Sequence, residues 1–274
     1  MLIDSHCHLD FDAFDEDRQQ VIERAQSAGV GGILNPSIDL ENSQAVLELA
    51  DCQPMVYAGI GVHPNSATTW RPETPAKLSR LAQNLKVLAI GEIGLDYYRE
   101  RAPHKVQIEV FQKQLSLAAE HELPVIIHTR NASADDPQAT IDALGILAEW
   151  KDQLTASGSP LLDRLGVLHS YSGDTASAKT AIELGFYIGI TGPVTFRNAP
   201  ELQNTVAELP LERLLIETDA PFLTPHPHRG KRNEPAYVRL VADKIGSIHN
   251  LEQGLVASTT TANAQRLFNW RVTL

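Results

Sequence analysis

Eight short apolar runs recur along the chain, each followed by a stretch of helical character, and this alternation restricts the fold more than any other feature. The runs lie near residues 2–8, 31–36, 55–63, 87–96, 124–130, 165–171, 186–194 and 214–219. They are largely continuous in apolar residues, as strands are when both faces of a parallel sheet are covered. Between them, "DEDRQQVIERAQSAG" opens with acidic residues and ends at Gly29, which suits a helix C-terminus. "VQIEVFQKQLSLAAEHEL" is a long helical stretch that stops before Pro124, and "APELQNTVAELP" fills the gap between the last two strands. The tail "LEQGLVASTTTANAQRLFNW" reads as one or two closing helices, with an N-cap threonine ahead of an apolar stripe in "TTTANAQRLF". Eight strand–helix units in 274 residues imply an α/β protein: a single (β/α)8 TIM barrel with closing C-terminal helices, one domain over residues 1–274. The least regular part is 131–163, where a helical "IDALGILAEWKDQL" gives way to a loose "TASGSP".

Composition narrows the setting. At 43% hydrophobic the chain can bury a sizeable core, yet no run of 18 apolar residues offers a membrane span. The opening "MLIDSHCHLD" has neither a basic nor an apolar leader segment, so no signal peptide is expected and a cytoplasmic location is the default. Two cysteines, Cys7 and Cys52, give no disulfide framework and are expected to be packed thiols. A net charge of −11 argues against a surface that attracts nucleic acid everywhere, though not against a local basic site. Metal-binding carboxylates would also add formal negative charge that bound cations offset.

The ionisable residues fall at the C-terminal ends of the strands. Strand one ends in His6 and His8, two residues apart and so on one face. Strand four carries Glu92, strand five His128, strand six His169 and strand eight Asp219. Singly, each has a bland reading as a satisfied core histidine, a loop acid or a turn residue. Together, five strands bearing ligand-type residues at one end converge on one mouth, where barrel active sites are built. Imidazole and carboxylate groups in apolar runs are costly unless paired or ligated. Four histidines and two carboxylates suffice for two cations. Such mixed ligation suits Zn²⁺ or Mn²⁺ by softness, and Mg²⁺ less well.

Several stretches resemble a known family: "IDSHCHLD", "GIGVHP", "IGEIGLDYYR", "PVIIHTR", "GFYIGITGPVTFRNA", "LLIETDAPFLTP" and "HRGKRNEPAYV", in order and nearly end to end. The chain is similar to the TatD family of metal-dependent deoxyribonucleases, within the amidohydrolase superfamily. The resemblance implies a binuclear site with His6, His8, Glu92 and Asp219 on one ion, and Glu92, His128 and His169 on the other, Glu92 bridging. The family's activity is usually described with Mg²⁺, so the identity of the two divalent ions stays open among Mg²⁺, Mn²⁺ and Zn²⁺. Two departures stand out. The family's usual "HCFSG" is "HSYSG" here, and by strand alternation Ser170 should face away from His169. The interval from His128 to His169 is also longer than the family's, which bears on substrate range.

Two divalent ions can grip a phosphate and activate a water, with a carboxylate taking the water's proton. Asp219 is the expected base, with Glu92 fixing the spacing of the ions. His63, in "GVHP", reads as a phosphate contact, a donor behind the ligands, or a structural residue. Arg99, Arg130 and Arg197 follow strands four, five and seven and are phosphate candidates or solvated charges. The run "HRGKR" places Arg229, Lys231 and Arg232 just after strand eight, where a phosphate clamp is expected; pairing with the chain's acids is the alternative. The expected substrate is DNA, single-stranded or at 3′ ends, in an exonuclease or repair role, with no obligate protein partner and no membrane. The alternative is an amidohydrolase or deacylase cutting a C–N or ester bond, for instance on a D-aminoacyl-tRNA. Many amidohydrolases bridge their metals with a carboxylated lysine on strand four; Glu92 in that place favours the nuclease.

Overall fold

The computed structural model describes residues 1–99, 101–133 and 135–270. Residues 271–274 of the expected domain, and residue 134 of the irregular segment, lie outside the described residues. Eight strands, β1 (Leu2–Asp4), β2 (Val30–Pro36), β3 (Val56–Ile60), β4 (Val87–Asp96), β5 (Val125–Arg130), β6 (Gly166–Leu168), β7 (Tyr187–Ile190) and β8 (Leu214–Ile216), form one parallel sheet in chain order. Between β8 and β1 the contact is made mostly just past the strand ends. Ser5 N donates to Ile216 O at 3.2 Å, and Cys7 and Ala220 form an isolated parallel bridge. Buried Asp4 reinforces this closure by accepting from Thr218 N and Thr218 Oγ1 at 2.9 and 2.6 Å.

Helices α1 (Arg18–Ser27), α2 (Leu40–Cys52), α3 (Thr74–Leu81), α4 (His104–His121), α5 (Gln138–Ser157), α6 (Thr175–Leu184), α7 (Pro200–Glu208) and α8 (Val238–His249) follow the strands in turn, and α9 (Gln253–Phe268) closes the chain. Local chemistry sets several of their ends. Asp39 and Asp174 cap α2 and α6 by accepting from Asn42 N and Ser177 N. Gly29 follows α1 at φ +87°, and Gly158 ends α5 at φ +66°. Most of the segment 131–163 is the long helix α5, whose Ala139, Ala143, Leu147, Trp150 and Leu154 make a buried stripe. The expected threonine cap is overturned. Thr260 and Thr261 lie inside α9, where Thr260 Oγ1 donates back to Val256 O at 2.9 Å and Thr261 Oγ1 ties the helix to Met1 O at 3.0 Å.

Burial falls into two layers. The larger lies between strands and helices; the smaller fills the barrel with Ile3, Leu34, Ile126, Val167, Tyr187 and Leu215, plugged from below by Leu267, Phe268 and Trp270 of the tail. The polar mouth therefore sits at the opposite end, above a dry floor. Five strands stop sooner than their apolar runs suggest, at Asp4, Ile60, Leu168, Ile190 and Ile216. The chain leaves the ladder there and turns sharply, with Ser170 at φ +44° and Asp219 at φ +55°. The alternation argument for Ser170 consequently fails, although its conclusion stands: the hydroxyl turns to Thr191 Oγ1 at 3.1 Å. Cys7 is buried as expected, whereas Cys52, on the last turn of α2, is exposed.

Candidate metal centre and active site

His6 and His8 project together from the segment after β1, their Nε2 atoms 3.3 Å apart. His6 Nε2 lies 3.5 Å from Glu92 Oε2 and 3.6 Å from Asp219 Oδ1. His8 Nε2 is 3.7 Å from each of the same two oxygens. These separations are the test of fit for a cation. A tetrahedral ion with bonds of about 2.1 Å requires ligand atoms about 3.4 Å apart. Burial, and then His169, push the His6 pKa down to about 4, so its imidazole is neutral near pH 7. An uncharged imidazole nitrogen and carboxylate oxygens aimed at one space repel one another unless a cation sits among them.

The other oxygen of Glu92 faces a different group. Oε1 is 2.7 Å from His128 Nδ1, 3.1 Å from His169 Nε2 and 3.6 Å from His63 Nε2. Glu92 reaches this place because β4 carries an extra residue against β5: Ile90 pairs with Val125 and Ile93 with Ile127. Two glycines make the bulge possible. A Cβ on Gly91 would lie 2.6 Å from Ile126 Cβ, and one on Gly94, at φ +135°, would lie 2.1 Å from His128 O.

Carboxylates behind the histidines decide which ring nitrogens are available. Asp96 Oδ2 lies 3.3 Å from His128 Nε2, which holds the proton there and turns the Nδ1 lone pair inward. Glu217 Oε2 accepts from Ser170 N at 2.9 Å and lies 3.5 Å from His169 Nδ1, which makes no hydrogen bond among the described residues, while His169 Nε2 faces Glu92 at 3.1 Å. Gly189 makes room for Glu217, since a Cβ there would stand 2.4 Å from its carboxylate. His63 differs: its Nδ1 accepts from Asn65 N at 3.0 Å, so the proton sits on Nε2 and points at Glu92. In this tautomer the ring offers an N–H to the mouth, although its Nε2 also lies within ligating reach of Glu92 and His128. Asp4, Asp96 and Glu217 were not singled out in the sequence; their only mark is an acid within two residues of a strand end, which many loop acids share.

The charges are strongly coupled. Burial raises the Glu92 pKa, but His169, His63 and His128 outweigh it and hold the carboxyl well below its usual range. Burial lowers His169 and His128, yet Glu92 with Glu217 raises the first, and Asp96 with Glu92 raises the second. Burial and His128 take His63 down to about 3. The inner carboxylates thus draw positive charge into the mouth, and a dication is the natural source.

The basic run divides. Arg232 is committed: its Nη1 and Nη2 donate to Asp17 at 2.7 and 2.8 Å, and Nη1 also to Ala13 O at 2.6 Å. Asp17 in turn meets Arg24, which also binds Glu234. Arg229 is exposed, its guanidinium lying 4.3 Å from the Phe196 ring centre, and Lys231 is exposed as well. Among the described residues neither makes an ion pair.

A family model described as TatD related DNase matches residues 3–269. An uncharacterized metal-dependent hydrolase of Bacillus subtilis is 41% identical over 268 residues, which is 98% of this chain and 99% of the relative. A protein of Erwinia tasmaniensis named 3′-5′ ssDNA/RNA exonuclease TatD is 36% identical, covering 98% of this chain and 100% of its own. The crystal structure of the TatD homologue YjjV from Escherichia coli superposes with a TM-score of 0.88 at 31% identity, over 98% of each chain. With the fold, the histidine–carboxylate mouth and the whole-length match in agreement, the chain belongs to the TatD-related DNase family of metal-dependent hydrolases.

Proposed function

We propose that this hydrolase is a deoxyribonuclease that uses two divalent ions to cleave phosphodiester bonds, working from free single-stranded 3′ ends. The observation that carries the reading is Glu92, whose two oxygens face two separate donor sets. His6, His8, Glu92 and Asp219 would hold one ion; Glu92, His128 and His169 would hold the other. Mg²⁺, Mn²⁺ or Zn²⁺ in these places would polarise a phosphoryl oxygen and lower the pKa of an attacking water.

The chain's own residues supply the rest. Asp219 turns Oδ1 to His6 and His8, which leaves Oδ2 to accept the water's proton. Its side chain is 15% exposed against 4% for Glu92, so it faces the side from which water and substrate enter. The left-handed backbone at Asp219 is held by Asp219 N donating to His6 O at 2.9 Å, which couples the base to the ligand segment. His63 Nε2 donates toward the space beside Glu92 and orients a phosphate oxygen there. Arg229 and Lys231 add positive charge on the loop after β8, where the rest of a polynucleotide backbone would pass. The name of the Erwinia relative supports a single-stranded substrate.

The test is purified, metal-loaded protein offered single-stranded DNA, duplex DNA and RNA of one sequence, together with aminoacyl esters and simple amides. Mononucleotides released stepwise from the 3′ end of single strands are expected. Hydrolysis of the ester or amide with the oligonucleotides left intact would replace this reading with a deacylase.

A further inference from the structure

The mouth carries an apolar feature that metal binding does not explain. Phe222 stands in the turn that Asp219 opens and is 51% exposed, and the adjoining Leu223 is 37% exposed. The backbone beneath it is fixed. Phe222 N donates to Asp219 O at 2.8 Å, and Phe222 O accepts from Asn233 Nδ2 at 2.6 Å. Asn233 is wholly buried and also donates to Thr218 O at 2.8 Å. An exposed aromatic ring is thus held in place beside the proposed base.

Phe222 does not stand alone. Its ring meets Phe11 edge-to-face, with centres 6.1 Å apart and planes at 75°. Phe11 lies flat against His8, with centres 4.6 Å apart and planes at 19°. The rings therefore step outward from a ligand histidine to solvent: His8, Phe11, Phe222. Single exposed apolar residues need no explanation, but a pinned ring joined to the reaction centre by another ring is a ready contact surface.

We propose that Phe222, backed by Phe11, is a shelf on which the unpaired terminal nucleobase of the substrate stacks. This deepens the nuclease reading and rests on it. The surroundings select a base over a neutral apolar group. Arg229 lies a few residues further along the same loop, its guanidinium over the Phe196 ring, and Lys231 is exposed in the same run. A ligand with a flat π-face and flanking phosphates uses both features, whereas an acyl chain uses only the ring. Every base has a π-face, so such a shelf accepts any sequence. A base in a duplex must first leave its stack, so the shelf favours single-stranded or frayed ends.

The experiment compares metal-loaded wild type, Phe222→Ala and Phe222→Trp on two oligonucleotides that differ only in whether the 3′-terminal nucleotide carries its base. Base–aromatic stacking corresponds to roughly 5- to 150-fold in affinity. Wild type is expected to favour the base-bearing end by at least about fivefold in kcat/KM, Phe222→Ala to lose most of that preference, and Phe222→Trp to restore it. A terminal 2-aminopurine in a slowly cleaved phosphorothioate oligonucleotide gives a readout independent of turnover. Its fluorescence should be quenched on binding to wild type and to Phe222→Trp, but not to Phe222→Ala. Equal slowing of both substrates by Phe222→Ala, with quenching retained, would overturn the shelf and leave the nuclease reading intact. Failure of the wild type to cut either oligonucleotide, with aminoacyl esters hydrolysed instead, would overturn both.

Discussion

Replacing Asp96 with asparagine should weaken the proposed ion beside His128 and His169 while leaving the proposed ion beside His6 and His8 in place. Asp96 is buried at the end of β4. Its Oδ1 accepts from Tyr98 N at 3.1 Å and Arg99 N at 2.9 Å; its Oδ2 accepts from Asn65 Nδ2 at 2.9 Å and faces His128 Nε2 at 3.3 Å. Asparagine has the same shape and keeps the backbone contacts, but turns an NH₂ toward two donors. His128 escapes the clash by moving its proton to Nδ1, where Glu92 Oε1 at 2.7 Å accepts it. The lone pair that faced the second cation is then gone. Losing the carboxylate that orients a ligand histidine typically weakens metal binding by about 10- to 100-fold, or about 1.4–2.8 kcal/mol. Two lost hydrogen bonds cost about 1 kcal/mol each, which lowers Tm by roughly 4 °C or more. Competition with a chromophoric chelator would resolve the two affinities. Asp96→Ala is the control: it removes the acceptor without adding a donor, so it should harm stability more and the second ion less. Unchanged affinity for both ions in Asp96→Asn, or loss confined to the ion held by His6 and His8, would refute the tautomer argument.

Asp219→Asn should lower activity by several orders of magnitude, since the proposed ligand and the proposed base change together; folding measured by calorimetry should be nearly unaffected. Glu92→Gln should weaken both ions in elemental analysis, and full occupancy with full activity would mean that Glu92 does not bridge. The two arginines of the basic run should behave differently. Arg229→Ala should weaken binding of single-stranded DNA and reduce its salt slope by about 0.7, while Arg232→Ala, which breaks the pairing with Asp17, should lower Tm by a few degrees and leave the slope alone. The same ion pair predicts an acid response. Hydrogen bonds from Arg232, followed by those from Arg24, lower the Asp17 pKa from 3.8 to about 2. That carboxylate stabilises the folded state fully above pH 4, and the contribution is lost as pH falls toward 2. The shift corresponds to at most about 2 kcal/mol, and to about 1 kcal/mol once solvent screening is allowed for. Wild type should therefore be more stable than Asp17→Asn by a constant margin above about pH 4, and that margin should shrink as pH falls toward 2.

Much of this molecule was legible without coordinates. Continuous apolar runs identified all eight strands, because a strand covered on both faces has no polar side to break its pattern. His6 and His8 were readable as partners because a two-residue interval in extended chain puts both side chains on one face, and their Nε2 atoms do meet. The convergence of these groups was readable from one shared property: an imidazole or carboxylate at the C-terminal end of each of five apolar runs. Strand ends were less legible. The runs read as strands extend to His8, Tyr171 and Asp219, whereas the regular strands end at Asp4, Leu168 and Ile216; beyond them only single hydrogen bonds reach the neighbouring strands, such as His169 N to Ile127 O at 2.9 Å.

What the tertiary structure alone decided is which neighbours each polar group acquired. Asp4, Asp96 and Glu217 are ordinary acids in the sequence; they became determinants because the barrel delivers Thr218, His128 and His169 to them across separations of 214, 32 and 48 positions. The same holds for the basic run, whose clustered charge concealed a division that distant Asp17 and Phe196 impose. It holds too for Glu92, whose reach to both donor sets depends on a register shift between β4 and β5. Periodicity reports how each segment is covered, and that information is local. Tautomer, ionisation and pairing depend on distances of a few ångströms between segments far apart in the chain, and only the closed barrel fixes those.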